Sequence, residues 1–138
     1  VAEERAKLYE EDCVELFLAP DPSERARYYE IEVGPRGHFF DLAVDRRAKP
    51  FKSDAAWSSH PRIATTTDAA AHTATIEALF SAPEITAALR KGARLPLGLY
   101  RMEAGTAGSP RRYLAWSPTR TKRPDFHVPA AFGTLVLE

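Results

Sequence analysis

A chain of 138 residues and 15.3 kDa is the length of one domain, and area scaling lets it bury roughly two thirds of its surface without disulfide or metal staples. With 44% hydrophobic and 28% charged residues and no long apolar run, it is neither disordered nor membrane-spanning. Nineteen basic residues balance nineteen acidic ones at a pI near 7.1; with no global field to gather phosphates, non-specific nucleic-acid binding is excluded.

In chain order, Cys13 to Ala19 (C-V-E-L-F-L-A) alternates Val14, Leu16 and Leu18 against Cys13, Glu15 and Phe17, a strand apolar on both faces. Pro20-Asp21-Pro22-Ser23 is a turn, and Tyr28 to Val33 sets Tyr28, Glu30 and Glu32 against Tyr29, Ile31 and Val33, a second strand pairing with the first. Gly34-Pro35-Arg36-Gly37 is a tight turn, and His38 to Val44 completes a three-stranded meander. Arg46 to Ser59 lacks either period despite the bulky Phe51 and Trp57, and reads as a long surface loop. Ile63 to Thr67 and Thr73 to Phe80 predict two strands joined by a turn at Asp68 to Ala71. Ser81-Ala82-Pro83-Glu84 has capping-box spacing and opens a short helix over 82–91. Leu97 to Glu103, Arg112 to Trp116 and Thr134 to Glu138 predict the last strands. Many short strands at turn spacing with one short α-helix argue an all-β fold, an antiparallel β-sandwich of immunoglobulin or jelly-roll kind, in a single domain over 1–138. The Pro-rich stretch Ser117 to Gly133 is long enough for a loop to carry function.

Catalytic motifs are absent. There is no GxSxG elbow, the lone Cys13 sits inside a strand, and His38, His60, His72 and His127 show no metal-ligand spacing. Pairs such as Asp12 and Glu15, or Glu30 and Glu32, suit glycoside hydrolysis only if held apart across a bond, and solvated strand edges produce the same pattern. The unusual residue is Glu15, a carboxylate in a strand with two apolar faces, which needs a partner. It is either one half of an ion pair with Arg101 or another cation, or a hydroxyl acceptor in a cleft. Tyr9, Phe126 and His127 could bring aromatic faces to such a cleft from distant segments.

Five pieces in order, Tyr9 to Leu18, Tyr28 to Gly37, Leu99 to Glu103, Trp116 to Thr119 and Phe126 to Leu135, resemble the family 9 carbohydrate-binding modules and their DOMON-like relatives. The resemblance implies a β-sandwich that binds a sugar non-catalytically, clamped between two aromatic rings. Tyr9 matches one clamp ring, Phe126 the other, and Glu15 the acidic hydroxyl acceptor. Both ring positions carry tryptophan in sugar-binding members, so the aromatic surface is smaller here. Glu32 stands where binders use an arginine, and Tyr100 where they use an amide-bearing residue. With Arg101 as an ionic partner, these complete the expected ligand-binding set.

The same resemblance leaves room for a structural calcium ion, and for haem held by Met102 with His127 or a lysine as second axial ligand, although Met102 also reads as core filler. A third alternative is a structural or partner-binding sandwich whose sugar site has decayed. Family members carry two or three strands before the Tyr9 region, and Val1 to Lys7 is too charged to supply them. The chain also starts without Met or an apolar leader. The expectation is a domain truncated at its N-terminus, with the bared edge attached to or covered by a further domain or segment. The resemblance tips the compartment towards an extracytoplasmic or secreted one. The expected partner is a carbohydrate, with neither nucleic acid nor membrane.

Overall fold

The computed structural model describes residues 8–106 and 108–138; the charged Val1 to Lys7 segment lies outside the described residues. The strands are β1 (Cys13–Leu18), β2 (Arg27–Val33), β3 (Phe39–Asp45), β4 (Lys52–Asp54), β5 (Arg62–Asp68), β6 (Thr73–Leu79), β7 (Arg94–Glu103), β8 (Arg112–Ala115) and β9 (Gly133–Val136), with one helix, α1 (Pro83–Ala88). Seven strands form an antiparallel sheet in the order β4-β3-β2-β1-β7-β8, with β9 also pairing along β7, while β5 and β6 form a separate two-stranded ribbon. The chain is an all-β sandwich with one short helix, as its strand pattern predicts.

Register decides what each face carries. Leu16 lies opposite Ile31 and Leu99, and Val14 opposite Val33 and Arg101, on one face. Glu15 lies opposite Glu32 and Tyr100, and Phe17 opposite Glu30 and Gly98, on the other. The first face is closed. Leu18, Ile31, Val33, Leu95 and Leu97 pack with Ala82 and Ile85 of the helical segment and with Ile63 and Ile76 of the ribbon. Asp41, also on this face, accepts bonds from the Ser59 backbone N–H at 2.6 Å and hydroxyl at 2.7 Å, tying the end of the β3–β5 connection to the sheet.

The second face holds an aromatic core of Phe17, Tyr28, Tyr100 and Phe132 with Leu42 and Val44. The segment after β8 covers it and contributes Phe126. Phe17 stacks on Tyr28 at 5.4 Å and meets Tyr100 edge-on at 5.1 Å, geometries that aromatic quadrupoles favour.

Two elements differ from their sequence-based expectation. The stretch Arg46 to Ser59 contains β4, which pairs with β3 over Ala43 to Asp45. Its bulky residues anchor it: Trp57 stacks on Tyr29 at 4.2 Å, and Phe51 lies under the Arg46 guanidinium and against His127. The helix is shorter than expected and has no capping box. Ala82 occupies the N-cap with no side-chain cap bond, and the Ser81 hydroxyl instead bonds the His60 carbonyl at 3.0 Å. The turn between β5 and β6 is as predicted, with Asp68 Oδ1 accepting from the backbone of Ala70 and Ala71.

Candidate functional site

On the second face a cleft of about 600 Å³ opens between the sheet and the segment after β8. Its floor is a row of three carboxylates, Glu15 on β1 with Glu30 and Glu32 on β2, and its walls include Tyr9, Tyr113 and Phe126. The three share a face because Glu15 is directly opposite Glu32 while Glu30 is two residues along the same strand. All are buried, at 5%, 4% and 0% exposure, and one carboxylate oxygen from each lies within 4.8 Å of the others.

Among the described residues no lysine or arginine forms an ion pair with this trio. The contacts it does make are weak: Cys13 Sγ lies 3.7 Å from Glu15 Oε1, and His127 Nε2 lies 3.8 Å from Glu30 Oε2. Burial, reinforced by the charge of Glu30, pushes the Glu15 carboxyl up to about 7. Burial likewise raises Glu30, and Glu32 rises through burial and the neighbouring charges of Glu15 and Glu30. Adjacent negative charges in low dielectric cannot all ionise without compensation. His127 cannot supply it, because burial and Arg46 hold its pKa below the ordinary histidine value. His127 Nδ1 and the Tyr28 hydroxyl share a hydrogen bond of 2.7 Å, and the other ring nitrogen, Nε2, faces Glu30 Oε2.

Phe126 is fixed by stacking on Tyr100 at 4.3 Å and 14°, and Tyr113 meets it edge-on at 6.0 Å. Tyr100 can lie low under Phe126 because it folds back over Gly98, where a Cβ would sit 2.5 Å from the tyrosine oxygen. Tyr9 is 47% exposed, on a 3-10 turn (Leu8–Glu10) at the mouth of the cleft.

Of the sequence-predicted residues, the structure therefore brings Tyr9, Glu15, Glu32 and Phe126 to one cleft, with Tyr100 beneath Phe126. Arg101 is elsewhere. Its position opposite Val14 turns it to the far face, where it pairs with Glu103 at 3.1 Å. The expected ion pair with Glu15 is corrected for that reason. Arg111 is the arginine lining this cleft, and it donates to the Glu10 carbonyl at 3.3 Å. Glu30 and Glu32, for which the alternation allowed a solvated edge, are buried because the segment after β8 lies over their face. Met102 is buried beside Leu8 and Cys13. Glu30 and Tyr113 also line the cleft, outside the ligand-binding set expected from the sequence. Phase with Glu32 was the available signal for Glu30; Tyr113 had none.

The family model for carbohydrate-binding family 9 matches residues 1–137. The chain belongs to carbohydrate-binding family 9. A search of curated proteins finds no match. Among solved structures, a protein of Bacteroides uniformis provisionally assigned to carbohydrate binding is similar to this family 9 chain, with a TM-score of 0.71 and 20% identity. The similarity covers 96% of this chain and 63% of that one, so the chain spans less than two thirds of its structural neighbour. The likeness is one of fold.

Proposed function

We propose that this family 9 domain is a non-catalytic module that binds a saccharide in the cleft on the second face. The observation that carries the reading is the meeting of Tyr9 and Phe126 with Glu15 in one cleft, contributed by segments more than 100 residues apart in sequence. The two rings offer apolar faces to sugar C–H groups, and Glu15 on the floor accepts from hydroxyls. Because its carboxyl titrates near 7, it can also donate when protonated. The trio rises side by side from one sheet, whereas hydrolytic carboxylates flank the bond they cut. That arrangement favours holding a sugar over cleaving it.

A calorimetric screen of mono- and oligosaccharides against the chain tests the reading, and absence of any saccharide binding overturns it. For a sugar that binds, Glu15→Gln should weaken affinity by about 1.5–3 kcal/mol, the range for a hydrogen bond to a charged group, with the circular dichroism spectrum unchanged. Unchanged affinity removes Glu15 from the proposed role.

A further inference from the structure

We infer that Glu15, Glu30 and Glu32 together hold one divalent cation of calcium's size at the floor of the cleft. Two independent observations point there. The first is spacing: one oxygen from each carboxylate lies within 4.8 Å of the others, a span that a single ion can bridge at the roughly 2.3–2.6 Å typical of calcium–oxygen bonds. The second is that the deepest oxygens are orphaned. Both carboxylate oxygens of Glu32, on a residue with no exposed surface, and Glu30 Oε2 are shielded from solvent and make no well-formed hydrogen bond, the groups beside Glu32 being the Tyr9 backbone and the Glu30 carboxyl. Buried polar atoms in folded proteins nearly always have a partner, and exceptions call for one that is missing.

The donor chemistry selects the ion. Three carboxylates form an all-oxygen set that suits a hard cation better than zinc or copper; His127 Nε2 and the Cys13 thiol lie beside the trio but outside the cluster, 3.8 Å from Glu30 Oε2 and 3.7 Å from Glu15 Oε1. Magnesium demands near-ideal octahedral geometry and gives up water reluctantly, whereas calcium accepts irregular oxygen sets and completes its shell with water or hydroxyls. The open side of the trio faces the cleft, so those remaining positions are available to ligands there. Metal coordination would also supply the positive charge that the described residues do not. An ammonium group fits less well: the Glu32 oxygens are shielded even from a water-sized group, while a bare ion can sit between the side chains.

Cation binding stands independently of the saccharide reading; the further consequence, that the ion presents coordination sites to sugar hydroxyls, rests on it. The test starts with the 138-residue chain stripped with EDTA and dialysed. Calcium chloride titrated at pH 7.5 should bind at one ion per chain, raise the melting temperature and release protons as the trio ionises. Terbium should bind the same site and luminesce by energy transfer from the cleft tyrosines, and excess calcium should quench it. Glu32→Gln should weaken calcium at least tenfold. If that variant misfolds by circular dichroism, the terbium and calcium competition in the unaltered chain decides. No calcium heat, no thermal shift and no tyrosine-sensitised terbium emission overturn the inference, as does full binding by folded Glu32→Gln. Protons alone would then neutralise the trio. Sugar binding in EDTA without calcium binding overturns the cation site and leaves the saccharide reading intact. Calcium binding without any sugar binding does the reverse. Selective, calcium-independent binding of amino sugars would also overturn it, in favour of an ammonium in the trio.

Discussion

The two faces of the seven-stranded sheet use the same strands for opposite purposes. On one face Leu16, Leu18, Ile31 and Val33 meet the ribbon and helix and close a dry apolar core. On the other, one residue out of phase, Glu15, Glu30 and Glu32 stand beside Phe17 and Tyr28 under an open cleft. Burial is comparable, with Ile31 at 1% and Glu32 at 0% exposure, so depth does not distinguish them. What differs is whether burial is compensated. The apolar face gains from every square ångström removed from water, while the acidic face leaves charges without cations and raises their pKa values. A sheet can carry that load on one face because the other supplies the stability.

The sharpest way to break this contrast is to truncate both sides of β2. Ile31→Ala should cost about 2–5 kcal/mol in urea unfolding, through lost burial and the cavity left behind. Its neighbour Glu32→Gln keeps the shape and removes the capacity for charge, so in EDTA at pH 8 it should not destabilise the fold and should raise its stability, because a carboxyl with a raised folded pKa disfavours folding above its unfolded value. A large loss in the second variant would mean that the carboxylates hold the fold together and that the two faces are energetically alike.

Next in size is the pH dependence of the chelated protein. A carboxyl whose folded pKa is raised favours the folded state below its unfolded value, near 4.5. That contribution erodes between 4.5 and about 7 and is gone above. For Glu15 alone the shift corresponds to about 3 kcal/mol of unfolding free energy lost between pH 4.5 and pH 8. Exposed Asp21 and Asp45 have lowered pKa values, so they act with the opposite sign and below this window. Urea titrations in EDTA at pH 5 and pH 8 measure the slope, which Glu15→Gln should flatten; an equal slope in that variant places the titration elsewhere.

How much of this could be read beforehand differs between the faces as well. Alternation in β1 and β2 gave the strands and the phase, because a period of two is local and register preserves it. Ribbon, helix and Asp68 turn were legible for the same reason. The fate of the Glu30–Glu32 phase was not, since a polar alternation looks the same whether it faces water or a covered cleft, and what covers it is a segment about 90 residues away. Arg101 was misjudged by nearness in type alone: pairing it with Glu15 required Arg101 to lie opposite, and the register puts Tyr100 there. Tyr9 and Phe126 were placed by family resemblance, and no periodic signal marks either one.

A smaller effect probes the aromatic walls. Phe126 is held by Tyr100 beneath it, so Phe126→Ala should leave the sheet folded and lower affinity for any sugar bound by about 0.5–1.5 kcal/mol, the scale of one aromatic contact. Phe126→Trp should raise affinity by enlarging the face. Calorimetry with the same saccharide decides, and equal affinity across all three proteins would take the ring out of the site.

The smallest expected effect separates the two faces most cleanly. Arg101 is adjacent in sequence to Tyr100, yet its guanidinium lies across the sheet from the cleft and pairs with Glu103. Glu103 keeps Arg112 as a second cation, so losing Arg101 strands no charge. Exposed ion pairs contribute about 0–1 kcal/mol, and surface substitutions away from buried features stay near ±0.5 kcal/mol. Arg101→Ala should therefore change unfolding free energy by less than about 0.5 kcal/mol and leave calcium and saccharide affinities untouched. Were Arg101 the counter-ion of Glu15, the same change would strand a buried carboxylate and cost about 3–5 kcal/mol. The two outcomes lie far enough apart that one denaturation curve distinguishes a cleft floored by unpaired carboxylates from one neutralised through the sheet.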